Sequence, residues 1–131
     1  MSKTNALEDE VLKLCTGQAT TIYTTTPIDP YVSLWTTAPN AETGAGGTEV
    51  TGGSYARVNA SGLFAAPSSG ACSNNAAVEF PTATADWGNV VAFGIHAGAA
   101  GTLIRTGSVT KTIQNGDTPS FAAGDLDLSE D

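Results

Sequence analysis

The stretch YVSLWTTAPNAETGAGGTEVTGGSYAR, residues 31–57, decides the fold class. It puts an apolar run, a Gly-rich excursion and a second aromatic segment next to one another, and it contains neither histidine nor cysteine. In 31–37 the alternation sets Val32, Leu34 and Thr36 on one face and Tyr31, Ser33, Trp35 and Thr37 on the other, which is strand periodicity. Both faces carry large side chains, so one face is expected to be covered by a partner. Residues 38–54 have two Gly pairs and little hydrophobicity. They are expected to form a long mobile loop, or a loop holding one short strand around 48–51, of the kind that carries contacts on β scaffolds.

The rest of the chain repeats this style. The β pattern begins with the Thr-rich TTIYTTT at 20–26, and Pro27 and Pro30 then interrupt pairing. Further strands are expected at 55–60, 63–66, 76–80, 90–96, 103–109 and 120–128, each bounded by turn residues. Short strands at this spacing, about eight in all, imply an all-β protein: a two-sheet β-sandwich or jelly roll. Pro81 ends the strand before it, and Asp86-Trp87-Gly88 reads as a tight corner whose indole plugs the end of the sandwich.

One short N-terminal α-helix precedes the strands. In 5–17, Leu7, Val11 and Leu14 fall at i, i+4 and i+7 with Cys15 on the same side. Asn5 is the expected cap, with Glu8 three residues on, and Gly17 the stop. This stripe can pack on its own sheet or meet another subunit. The domain reading is therefore a helix and arm over 1–19 and a β-sandwich over 20–131, together one domain, as suits 131 residues.

Composition narrows the function. Hydrophobic residues make up 40% and charged residues 14%, which argues against disorder. The formal charge of -8 argues against neutralising a phosphate backbone, so nucleic acid is not an expected partner. No run approaches the roughly 20 apolar residues that span a bilayer, and no secretory signal is expected at the N-terminus. Cys15 and Cys72 lack metal-type spacing and are not expected to bridge.

Groups able to do chemistry are sparse. His96, the one histidine, would have to serve any hydrolase triad, but no GxSxG elbow accompanies it, so a structural histidine at the sheet rim is expected. Gly44, Gly46 and Gly47 lack the GK[ST] ending of a phosphate loop. Glu79 and Asp86 could be imagined as a glycosidase pair, but nothing sets their separation. Asp125 and Asp127, alternating with Leu126 and Leu128, would share a strand face where a cation could bridge subunits, although the Gly and closing Glu of a calcium loop are missing. No catalytic residue, cofactor or metal is expected. Arg57 and Arg105, two of five cations, could each hold a carboxylate on a neighbour or form an intrachain or solvated pair.

Five elements carry a resemblance: the N-terminal helix, the strand ending in TTAP, the GTEV-GG-YAR element, FPTATADWG and SFAAGDLD. Together they resemble a widespread family of small tailed-bacteriophage virion proteins, often labelled tail fibre proteins, and the resemblance covers nearly the whole chain. AGAAGT at 97–102 departs from it, being shorter and less polar than the corresponding turn in relatives. The resemblance implies a non-enzymatic virion component, similar in size and expected fold to capsid decoration or cement proteins. The expected partners are the major capsid protein and other virion proteins, with the chain a homo-oligomer and a trimer suited to threefold junctions. A tail, neck or fibre component with an attachment role is the alternative. Leu7, Val11, Leu14, Tyr31, Trp35, Arg57 and Arg105 are the candidate interface residues.

Overall fold

The computed structural model describes residues 2–22 and 27–129; most of the Thr-rich run expected as a strand at 20–26 and the last two acidic residues lie outside them. The main sheet is antiparallel and six-stranded. Its centre is formed by β2 (Pro30–Thr37), β7 (Gly88–Ala97) and β8 (Leu103–Ile113), the three long strands. Short pieces complete its edges: β1 (Ser2–Lys3) beside β8, and β3 (Thr48–Glu49) and β4 (Val58–Asn59) beside β2. Two ribbons lie apart, β5 (Ala71–Ser73) with β10 (Asp127–Ser129) and β6 (Val78–Glu79) with β9 (Ser120–Phe121). The all-β class with one helix is what the chain adopts. One large sheet and two ribbons do not establish the jelly roll.

Both faces of β2 are buried within the chain. Val32 and Leu34 join a core with Phe80, Phe93, Ile95, Phe121 and Leu126, while Trp35 packs on Ala92 and Leu103 on the opposite side. Strand β2 needs no partner to cover it. Aromatic rings connect the layers: Trp87 meets Tyr55 edge-on at 5.3 Å, Tyr55 stacks on Phe80 at 6.3 Å, and Phe121 lies 6.2 Å from Phe80 and 5.7 Å from Phe93. Trp87 plugs this end as expected, and its indole N–H donates to the Gly53 carbonyl at 2.9 Å.

Two glycines make the close packing possible. A Cβ on Gly94 would stand 2.6 Å from Leu103 Cδ1 and 2.8 Å from Ser33 Oγ, and one on Gly107 would stand 2.5 Å from the Phe93 ring. Side chains there would push the central strands apart.

The strand expected at 120–128 is instead two strands joined by a turn. The cause is Asn74, which is buried: its Nδ2 donates to the carbonyls of Ala76 and Ala122, and its Oδ1 accepts from Leu126 N–H at 2.9 Å. Asp125 closes the same turn by accepting from Ala122 N–H, so it does not share a strand with Asp127. The strand expected at 63–66 is reduced to an isolated bridge between Phe64 and Asn74.

Thr4 rather than Asn5 holds the N-cap position of helix α1 (Asn5–Cys15), and its hydroxyl, instead of capping the helix, donates to the Leu103 carbonyl and docks the helix start on β8. Its end follows expectation, with Gly17 at φ 72° and Gln18 N–H reaching back to the Lys13 carbonyl. Asn74→Ala is expected to lower unfolding free energy by about 3 kcal/mol, since it leaves buried backbone groups unpaired. Denaturant titration followed by tryptophan fluorescence would measure this, and a loss under about 0.5 kcal/mol would remove Asn74 as the reason for the turn.

Candidate functional site

The most concentrated polar cluster lies where β2, β3 and the β7–β8 hairpin meet. Its first part joins Glu49 of β3 to the segment before β4. Arg57 Nη2 and Nε donate to the two Glu49 oxygens at 2.8 and 2.9 Å, and Tyr55 O–H donates to Oε1 at 2.8 Å. Leu34 N–H of β2 donates to the same Tyr55 oxygen, and Arg57 Nη1 reaches the Ala99 carbonyl at the hairpin tip. Burial would raise the Glu49 pKa, but the bonds from Arg57 and Tyr55 outweigh it and the carboxyl sits below its ordinary value. Burial, together with the Glu49 bond, holds the Tyr55 phenol protonated well above its usual range.

The second part lies on the Trp35 face. Trp35 Nε1 donates to Ser33 Oγ at 2.8 Å, Ser33 Oγ is 2.9 Å from His96 Nε2, and His96 Nδ1 is 3.2 Å from the Gly101 carbonyl. A carbonyl only accepts, so Nδ1 carries the proton and Nε2 accepts from the Ser33 hydroxyl. Ser33 and His96 thus hold the relation of a nucleophile and its base, with a backbone carbonyl in the place of the acid. However, Ser33 is 0% and His96 3% exposed, and the indole N–H already occupies Ser33 Oγ. An acyl substrate has no approach to this pair, and the arrangement reads as a sealed hydrogen-bond chain. Burial first, and then the Arg57 charge, lower the His96 pKa and keep the ring neutral.

The interface residues expected from sequence divide sharply. Leu7 and Trp35 are core residues and cannot serve as outer contacts: Leu7 is 2% exposed beneath the helix, and Trp35 is packed on Ala92 and Leu103. Tyr31 is half-buried in β2. Arg57 forms an intrachain pair with Glu49. Arg105 lies at intermediate exposure, with Nη1 3.4 Å from the Ser129 carbonyl, beside an apolar cavity of about 280 Å³ lined in part by Ile28, Phe64, Ile95 and Leu128.

Val11 and Leu14 are exposed, at 37% and 56%, and Leu12 beside them reaches 61%. Leu12 falls off the stripe read from the sequence, and a leucine outside the packed stripe was the available signal for it. The helix buries Leu7 and Glu10 instead. Glu10 accepts from the backbone N–H groups of Thr21 and Ile22 at 2.7 Å and pairs with Lys13 at 2.9 Å. The Lys13 bond, then that from Ile22, pulls its pKa down to about 2. Glu10 thereby fastens the chain leaving the helix.

Among the described residues no group of three or more His, Cys, Asp or Glu side chains could hold a metal, and Cys15 and Cys72 are free thiols. No helix among them is long and apolar enough to cross a membrane.

Comparison with known protein families matches residues 2–129 to Podophage GP4 fiber I protein gp80. The chain belongs to that family. Membership in the gp80 family places it with phage virion structural proteins and agrees with the resemblance read from its motifs. A search of curated proteins returned no match.

Glu10, Glu49 and His96 make stability acid-sensitive. Glu10 and Glu49 have lowered pKa values when folded, so their contribution is complete above the unfolded carboxylate pKa and is lost as pH falls. His96, also lowered, contributes fully above its unfolded value of 6.5 and less below it. The urea midpoint is expected to fall steadily from about pH 7 to about pH 4. In His96→Gln the decline should begin only in the carboxylate range, and an unchanged pH profile would show that His96 is not buried in neutral form.

Proposed function

We propose that the protein is a non-enzymatic structural subunit of the phage virion, carried as a fibre-associated component and attached through the exposed C-terminal half of α1. One observation carries this reading: among the described residues, three of the four exposed large hydrophobic residues, Val11, Leu12 and Leu14, lie in the C-terminal half of that one helix, while Leu7 and Glu10 are buried and hold the helix down. Covering these side chains would contribute roughly 3 kcal/mol per subunit, too little for a tight single contact. It suffices where several subunits attach together and avidity accumulates. The fibre assignment is supported by the family's name.

A second reading, capsid decoration with the subunit bound to the major capsid protein lattice and stabilising the head, is favoured by the small β-rich chain of 131 residues with 14% charged residues. Both readings use the same helix surface. Quantitative mass spectrometry of purified virions separates them: a fibre component should be present at a small multiple of the tail symmetry, whereas hundreds of copies would establish decoration instead. Leu12→Asp combined with Leu14→Asp is expected to leave the thermal midpoint unchanged and to remove the protein from particles. Normal incorporation of the folded double variant would defeat attachment through α1.

A further inference from the structure

The turn at 114–117 is gripped by the corner at 83–87 that carries Trp87. Ala83 N–H donates to the Asp117 carbonyl at 2.8 Å, and Gly116 N–H donates back to the Ala83 carbonyl at 2.7 Å. Trp87 N–H donates to the Ile113 carbonyl at 2.9 Å, and Asp86 Oδ1 accepts from Asn115 N–H at 2.8 Å. Inside the turn, Asp117 N–H donates to the Gln114 carbonyl and Asp117 Oδ2 accepts from Gln114 N–H. Every backbone N–H from Gln114 to Asp117 is therefore engaged, although all four residues are exposed.

The residues held this way are chemically reactive. Asn115-Gly116 is the one Asn-Gly pair in the sequence, every other asparagine being followed by Ala, Asn or Val. In such a pair the glycine backbone nitrogen attacks the asparagine side-chain amide carbon, a C–N bond forms, ammonia leaves and a five-membered succinimide results. Water then opens the ring at either carbonyl and leaves aspartate or isoaspartate. Glycine favours the attack because no side chain crowds its nitrogen. Steric cover does not guard the pair here: Asn115 is exposed, and among the described residues no atom comes within 4 Å of where a Gly116 Cβ would stand.

We propose that Asn115 is a latent modification site, closed to succinimide formation by hydrogen bonds to the corner and opened only when the 113–117 turn releases 83–87. To attack, the Gly116 nitrogen must give up the proton that it donates to Ala83 and turn its peptide plane toward the Asn115 side chain, while Asp86 holds the preceding peptide plane in place. The change runs one way. Isoaspartate carries the main chain through its side-chain carbon, one atom longer, so the bonds from 113–117 to the corner no longer all re-form. Aspartate adds a carboxylate near Asp86 and Asp117, and like charges then oppose closure. An opening at the Trp87 end of the core is thereby recorded covalently. The proposal concerns the chain's own chemistry and does not rest on where the virion carries it.

Peptide mapping by mass spectrometry, after incubation of the full chain at mildly alkaline pH, tests it against a synthetic peptide of residues 111–121. Asn115 in the folded chain is expected to convert at least about tenfold more slowly than in the peptide, because conversion waits on local opening. Asp86→Ala is expected to speed conversion about fivefold, the population change that one hydrogen bond is worth, while Asp86→Asn keeps an acceptor oxygen and stays near the wild-type rate. Conversion of the wild type at the peptide's rate, or a folded Asp86→Ala no faster than wild type, would overturn the proposal. Amide exchange at Asn115 and Gly116 of the wild type decides the matter without any variant: slow exchange supports a held turn, and exchange at the rate of an open loop overturns it.

Discussion

Tyr55 is the point at which the polar and apolar halves of the structure are joined. Its ring stands between Trp87 and Phe80 in the aromatic row, and its hydroxyl donates to Glu49 while accepting from the β2 backbone at Leu34. Without that side chain the 38–57 excursion would have Gly-rich backbone and little to bury. With it, the excursion is bound to the sheet from both sides, Val50 enters the core, and Arg57 is placed to bridge Glu49 to the hairpin tip. A phenol suits this position because it fills an apolar site with one end and satisfies buried polar groups with the other.

Much of the architecture could be read from residue order. The three long strands appear where β-branched and aromatic runs alternate, and the Trp87 corner lies between an Asp and a Gly with positive φ. What pattern could not give came from single polar side chains acting over long separations. Asn74 bends a run that reads as one strand, because its amide offers the turn better partners than a ladder would. Tyr55 fixes a segment whose composition signals mobility. Glu10, a surface residue by charge, is buried because two backbone N–H groups and Lys13 surround it. Lys13 and Ala76 are close neighbours of Glu10 and Asn74, but Thr21, Ile22, Leu34, Ala122 and Leu126 are distant in sequence and meet these side chains only in the folded neighbourhood.

The same limit governs the reading of the site. His96 was conspicuous as the one histidine, and the structure sets it 2.9 Å from a serine oxygen, a distance that in an open cleft would suggest catalysis. Burial reverses that meaning: with both groups enclosed and both imidazole nitrogens engaged, the pair secures the Trp35 face to the β7–β8 hairpin. The candidate contact surface lies elsewhere, on a helix whose Val11 and Leu14 were visible in sequence as part of the apolar stripe, while Leu12 was not. Virion structural proteins must fold firmly and still present a sticky surface. This chain separates the two tasks, with polar groups turned inward as fasteners and a few leucines and valines turned outward.

Native-state hydrogen exchange at the amides of Leu34, Val50 and Tyr55 tests most directly whether the 48–57 segment is an integral part of the sheet. Each donates within the fold, to the Tyr55 hydroxyl, the Leu34 carbonyl and the Gly52 carbonyl respectively. The account predicts that the Leu34 and Val50 amides exchange only through global unfolding, with Tyr55 protected beside them. Exchange of all three at the rate of an open loop, while the β7 and β8 amides stay protected, would contradict it.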